Sequence, residues 1–466
     1  MIRPGTICSL AAVLITLVLG ACAGYEGDVK EIRSSLLAGN ELRALHMANT
    51  ALDVEESDHY PIDLDGENAL LVLERGTIKQ GLGGYKSSAL DLRISDKHLE
   101  MLDVKNDTAG NIGKWLFSDD STVYKAPPHE KLLLNTLNMI NYLSIGDLES
   151  ARVEARRFTI MQDYLKDQVS PDEAGLGLGD YLAGFTFEMS GRREQALGHY
   201  DSALAAGDHP SLTAPIRRLA ACDTYRTDRI EKLLEPVEEG SPGPICENNS
   251  RKTGTILVVT SLGLAPHKQA RRIPIGAALV IAAHVMYGPA LSSGNSSRAN
   301  ELSAKGLLKW VMFPVMKKTR PRFKRARVTV DGEPIAAELG ENVTELVIDA
   351  WDRIKGTLMV AAITRMITRA VVGEAANQGA KAGGAAGGLA LLAQFAVEGA
   401  MTAADTPDTR SWVTLPSMIL VSRKEVPAGK HKVSVAFSGQ AGSTQVDKTV
   451  NVTPGGFSVV SVASMR

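Results

Sequence analysis

Four turn glycines set the strongest constraint on how this chain folds. Gly39, Gly83, Gly146 and Gly191 each interrupt a helix-forming stretch, and the fifth residue after each is small: Ala44, Ser88, Ala151 and Ala196. Glycine reaches the backbone angles of a tight reversal without a Cβ clash, and a small residue early in the next helix lets two helices approach closely. The pattern predicts helical hairpins from about Glu26 to Glu239.

The last hairpin is the most detailed. Ala183, Gly184, Phe187, Gly191, Ala196, Tyr200 and Ala203 fall at the spacings of a tetratricopeptide repeat, and Pro210 closes the unit. Gly184 and Ala196 suit the close helix contact, while Phe187 and Tyr200 fill the gap between hairpins. The turn glycines lie 44, 63 and 45 residues apart, against about 34 for a regular array. The expectation is therefore irregular, inserted repeats, or a plain helical bundle without a peptide groove.

Between Glu238 and Ser250 the composition shifts to Pro, Gly, Asn and Ser, which marks a linker. Beyond it, Thr255 to Leu262, Arg327 to Val330, Met418 to Val421, Lys432 to Phe437, Val446 to Val452 and Phe457 to Val462 read as strands. Their spacing predicts a small antiparallel sandwich. Ile273 to Leu291 reads as buried sheet. Thr357 to Ala404, rich in Ala and Gly, reads as a helical hairpin packed on the β region, because Arg365, Arg369, Glu374 and Lys381 interrupt any membrane-spanning run. The fold class expected is multidomain α+β. It comprises a signal over 1–21, a helical-repeat domain over 22–240, a linker over 241–252, a β-rich domain over 253–356, a helical insertion over 357–405 and closing strands over 406–466.

The N-terminus has the three-part order of a secretory signal: Arg3, an apolar stretch from Ile7 to Val18, then Leu19-Gly20-Ala21-Cys22. The last four residues resemble the bacterial lipobox. That resemblance implies cleavage before Cys22, a diacylglyceryl thioether on its sulfur and an acylated amine. Each buried methylene contributes about 0.8 kcal/mol, so two or three chains hold a protein durably to a bilayer. Ala23, where aspartate signals inner-membrane retention, favours the outer membrane, with the chain facing the periplasm. With Cys8 removed and Cys22 lipidated, Cys222 and Cys246 remain, as one disulfide or as two buried thiols. A formal net charge of −2 gives no case for nucleic-acid binding.

Several separated motifs carry a wider likeness. Ala151 to Arg157, Gly263 to Lys268, and Asp408-Thr409-Arg410-Ser411-Trp412 followed by Leu415-Pro416 stand in an order that resembles a family of uncharacterised bacterial outer-membrane lipoproteins. Members combine tetratricopeptide-like repeats with a C-terminal β region. The likeness covers most of the chain and implies architecture and location; it carries no activity with it.

The chain has no Gly-x-Ser-x-Gly elbow, no phosphate-binding loop and no His-Glu-x-x-His, and its nine histidines lack metal-ligand spacing. Neither catalytic residues, metal nor cofactor are expected. Asp408, Arg410 and Trp412 offer an acid, a guanidinium and an indole for an anionic or sugar ligand, although capping, pairing and packing account for them more simply. Lys317, Lys318, Arg320, Arg322, Lys324, Arg325 and Arg327 form the densest basic run, suited to lipid phosphates, lipopolysaccharide or an acidic protein. Tyr142, Phe187 and Tyr200 are candidates for a groove between helices. The function expected is a non-catalytic scaffold for an envelope protein partner. Alternatives are a regulator of peptidoglycan synthesis, of the type that activates penicillin-binding proteins, and an envelope enzyme or membrane-inserting assembly factor.

Overall fold

The structure is a computed structural model that describes residues 25–64, 66–101, 124–169, 175–235, 252–285, 290–306, 308–381, 407–440 and 442–466. It is mixed α+β, helical first and strand-rich towards the C-terminus. Cys22, Cys246 and the stretch 382–406 lie outside the described residues; Cys222 is disulfide-bonded.

Each turn glycine joins a pair of helices: α1 (Tyr25–Ala38) to α2 (Glu41–Ala51), α3 (Glu67–Gly81) to α4 (Tyr85–His98), α5 (Pro128–Ser144) to α6 (Leu148–Tyr164), and α7 (Gly177–Met189) to α8 (Arg193–Ala206). The four glycines have φ of 82°, 82°, 75° and 72°. Each closes its helix with the same two bonds, as in Gly39 N to Leu36 O and Asn40 N to Ser35 O. This left-handed cap satisfies carbonyls that the helix end leaves free. Ala44, Ser88, Ala151 and Ala196, the small residues that follow, are wholly buried. A two-residue parallel pair, β1 (Glu100–Met101) with β2 (Lys125–Ala126), lies between the second and third hairpins. Two short helices, α9 (Thr213–Ala220) and α10 (Asp228–Leu234), end the helical half.

Within the hairpins, α3, α5 and α7 are buried on every side, from Ala69 to Gln80, Pro128 to Asn141 and Gly177 to Glu188. One side is covered by the neighbouring helices. The other is covered by a four-stranded sheet in the order β12 (Phe457–Ser464), β3 (Thr253–Leu262), β9 (Met418–Pro427), β8 (Glu338–Glu341). Side chains alternate across a strand, and β3 uses both of its faces. Leu257 and Val259 join the core of the helices. Ile256, Val258 and Leu262 join Val328, Val433, Val435 and Phe437 of a second sheet, ordered β11 (Gly442–Val452), β10 (Gly429–Gly439), β6 (Phe323–Val330), β7 (Glu333–Ile335). The six strands named from Thr255 to Val462 are all present, but β12 pairs with β3 in parallel, so the sheet is not purely antiparallel.

A third body stands beside these layers. The ribbon of β4 (His267–Pro274) and β5 (Trp310–Lys317) packs with α11 (Ile275–Ala282), α12 (Ser293–Ala304) and α13 (Val343–Lys381) around Phe313, Trp351 and Ile363. Two expectations are corrected here. Residues 275–282 are helix rather than buried sheet, because Pro274 ends β4 and an apolar run of eight carries no periodicity that separates the two states. The helix expected from Thr357 begins at Val343. Its charged first turns disguise it, and Gly356 lets it pass the backbone of His284, where a Cβ would stand 2.2 Å from the carbonyl oxygen. The span 253–356, expected to be β-rich, thus holds α11, α12 and the start of α13. Among the described residues no helix is long and apolar enough to cross a membrane.

Candidate functional site

The Asp408–Pro416 motif runs as a strap between the helices and the sheet, and charged groups on buried helices hold it. Glu74 on α3 accepts from Val413 N at 2.7 Å, Thr414 N at 2.8 Å, the Thr414 hydroxyl at 2.5 Å and the Tyr25 hydroxyl at 2.8 Å. Glu130 on α5 accepts from Trp412 N at 3.2 Å and the Tyr124 hydroxyl at 2.7 Å. Trp412 donates its indole N–H to Thr77 at 2.8 Å. Arg33 donates to the carbonyls of Val413 and Ala265 and to the Thr319 hydroxyl. Lys268 reaches the Arg410 carbonyl at 3.0 Å, and Arg410 pairs with Asp408 at 2.8 Å. An irregular segment taken out of water needs a partner for each backbone group, and these side chains supply them.

Burial perturbs this set strongly. It pushes the Glu74 carboxyl up to about 7 against the pull of its donors from Thr414, Val413 and Tyr25. It raises Glu130, lowers Lys268, and lowers His129 to about 3. Perturbed groups gathered in one place are a pattern of active sites, but here Glu74, Glu130 and Lys268 close on the chain's own backbone. Trp412 is 1% exposed. The motif singled out in the sequence is therefore a structural strap, and the reading of Asp408, Arg410 and Trp412 as ligand contacts is corrected. Glu74 and Glu130 escaped the sequence reading; the one signal was a carboxylate inside the apolar run Leu70-Leu71-Val72-Leu73-Glu74.

The open site is next to the strap. A cleft of about 610 Å³ has α1 as one wall and the end of the β4–β5 ribbon with the following loop as the other. Its α1 wall is the helical stripe Glu26, Val29, Lys30, Arg33, Leu37, and the facing wall brings Lys268, Lys317, Lys318, Arg320 and Arg322. Seven lining residues are Lys or Arg and one, Glu26, is acidic. Lys30, Lys317, Lys318, Arg320 and Arg322 have no carboxylate partner among the described residues. His267 lines the same cleft; burial, with Arg33 and Lys317 nearby, lowers it to about 4, so its ring is neutral at pH 7. The basic run is thus divided. Lys317, Lys318, Arg320 and Arg322 face the cleft, while Lys324, Arg325 and Arg327 stand exposed along β6. Lys30 and Arg33 were missed, since only tertiary packing brings α1 to the ribbon.

A shallower groove of about 430 Å³ lies between α6 and α8. In it His199 Nδ1 is 2.8 Å from Asp180 Oδ1 and Nε2 is 3.1 Å from the Thr159 hydroxyl. The Thr159 hydroxyl already donates to the Ala155 carbonyl at 2.9 Å, so this row is not poised as a nucleophile. Phe187 stacks on His199, with ring centroids 5.5 Å apart. Of the aromatic candidates, Phe187 does line this groove, while Tyr200 is corrected as a groove contact. Phe187 is 4% exposed and Tyr200 0%. Tyr200 instead bonds Glu188 at 2.5 Å and accepts from Arg423 of β9 at 2.9 Å. Tyr142 is partly buried against the helical core. Among the described residues, Glu56, Asp58 and His59 are the one group placed to share a metal ion, and all three are exposed.

No family model, no curated protein and no solved structure matches this chain.

Proposed function

We propose that this chain is a lipid-anchored, non-catalytic scaffold of the bacterial envelope, of the outer-membrane lipoprotein type its motifs resemble, which receives an acidic segment of a partner protein in the basic cleft. In this reading the hairpins are irregular tetratricopeptide-like repeats and the two sheets are a sandwich. The inner face of the repeats, where such arrays take peptides, is filled by the chain's own strap and sheet, and binding falls to the cleft.

The observation that carries the reading is a set of cations left without carboxylates around a cavity that also offers Val29 and Leu37. Cations gathered in a cleft raise the local potential and draw acidic partners, with a strong dependence on salt. The non-catalytic half rests on the strap, where Glu74, Glu130 and Lys268 bond to backbone.

The test compares partners captured from an envelope extract by the chain from Ala23 onward and by a Lys317→Glu, Lys318→Glu, Arg320→Glu variant. The scaffold reading expects a partner whose capture falls at least about tenfold in the variant and weakens as salt rises. Capture undiminished by charge reversal would sink it. Intact mass of the membrane-extracted protein tests the anchor separately: it should carry acyl chains on Cys22.

A further inference from the structure

The tip of the third body carries an apolar surface of a different kind. Every side chain of α11 is apolar, yet only Ile275, Ala278 and Ala282 are buried; Val280 is 61% exposed. Trp310, at the start of β5, is 51% exposed. Trp310 stands at the base of this helix, because it pairs with Pro274 and Ile275 N donates to Lys309 O at 3.1 Å, which sets the first turn of α11 beside the tryptophan. Arg271, Arg272 and Lys309 lie at the same end of the ribbon, Arg272 on the Trp310 face, all exposed and without carboxylate partners among the described residues.

We propose that this tip, α11 with Trp310, docks into the headgroup region of an anionic bilayer. Single exposed apolar residues are ordinary. An apolar helix with an exposed indole and cations close by is the composition of an interfacial contact: the indole sits at headgroup depth, the aliphatic side chains reach the acyl boundary, and the cations meet lipid phosphates. At eight residues α11 lies on a membrane and does not cross it. Charge complementarity selects the occupant, since three unpaired cations at this end of the ribbon favour an anionic surface over an apolar protein face. This contact goes beyond the scaffold reading and stands without the lipid anchor.

The experiment uses the chain from Ala23 onward, which lacks the lipidated cysteine and retains every described residue. It is sedimented with vesicles of phosphatidylglycerol or of phosphatidylcholine. The tip predicts binding to phosphatidylglycerol that weakens with salt. Binding should fall at least about tenfold in Trp310→Ser with Val280→Ser and persist in Trp310→Tyr, whose ring still suits the interface. The cleft variant Lys317→Glu should bind as the parent does. Because both tip residues are exposed, melting curves of the variants should overlay the parent's. No sedimentation with phosphatidylglycerol, equal sedimentation of the serine variant, or loss in Lys317→Glu overturns the proposal; the last outcome would move the lipid contact to the cleft.

Discussion

Glu74 has a buried carboxylate whose two oxygens receive four donors, three of them from the strap at Val413 and Thr414. Its donors stabilise the charged form and burial opposes it, with burial winning, since the group sits at about 7 against an ordinary value of 4.5. As pH rises, the unfolded chain releases this proton first. Glu74 therefore contributes most stability at or below pH 4.5 and loses it progressively up to pH 7, a change of about 3 kcal/mol. Relative to the parent, Glu74→Gln should be most destabilising near pH 4.5, with the penalty shrinking towards neutrality. Urea denaturation at a series of pH values measures this. A penalty that grows over the same window would mean that the donors, not burial, set the titration.

At the scale of elements, the hairpins owe their geometry to small residues rather than to apolar stripes. A Cβ added to Gly184 on α7 would lie 2.5 Å from the Tyr200 ring on α8. The ring has no room to retreat, because its hydroxyl is held by Glu188 and Arg423. Gly184→Val should therefore cost about 1–3 kcal/mol through overpacking, read as a lower urea midpoint with an unchanged slope. The same contact binds layers together: Arg423 of β9 pairs with Glu188 at 2.8 Å and covers the Phe185 ring at 5.2 Å. Burial favours an uncharged Glu188, but Arg423 and Arg218 outweigh it and keep the carboxyl below its usual range. The close contact at Gly184 was legible from its spacing to Ala196 and Tyr200. The partner strand was not, since Arg423 is over two hundred residues away in the chain.

For the whole molecule, the helical half and the sheet share one core, in which Leu178, Phe185, Leu257, Val259, Ile419 and Val421 meet. Neither half has a complete surface without the other. Expressed alone, residues 23–235 would expose the inner sides of α3, α5 and α7 and leave Glu74 and Glu130 without the strap. The expectation is a fragment that aggregates or keeps helix without fixed side-chain packing. Co-expression with residues 252–466 should restore a single species with native near-ultraviolet dichroism. A monodisperse, cooperatively unfolding fragment would show instead that the halves are independent domains, as the composition change near Ser250 suggests.

Local chemistry alone determined the hairpin turns, the small residues inside them and six of the eight strands of the two sheets, because cap geometry and side-chain alternation act within a few residues; the short strands β7 and β8 were set by their pairing with β6 and β9. Short apolar or charged stretches were ambiguous, and α11 and the start of α13 were decided only by what they pack against. The candidate site was half visible: Lys317 to Arg322 announced themselves as a basic run, while Lys30 and Arg33 joined them through the placement of α1. The role of the Asp408–Pro416 motif was decided by tertiary structure alone. A strap's function depends on which buried groups meet its backbone, and those groups come from helices more than two hundred and seventy residues earlier in the chain.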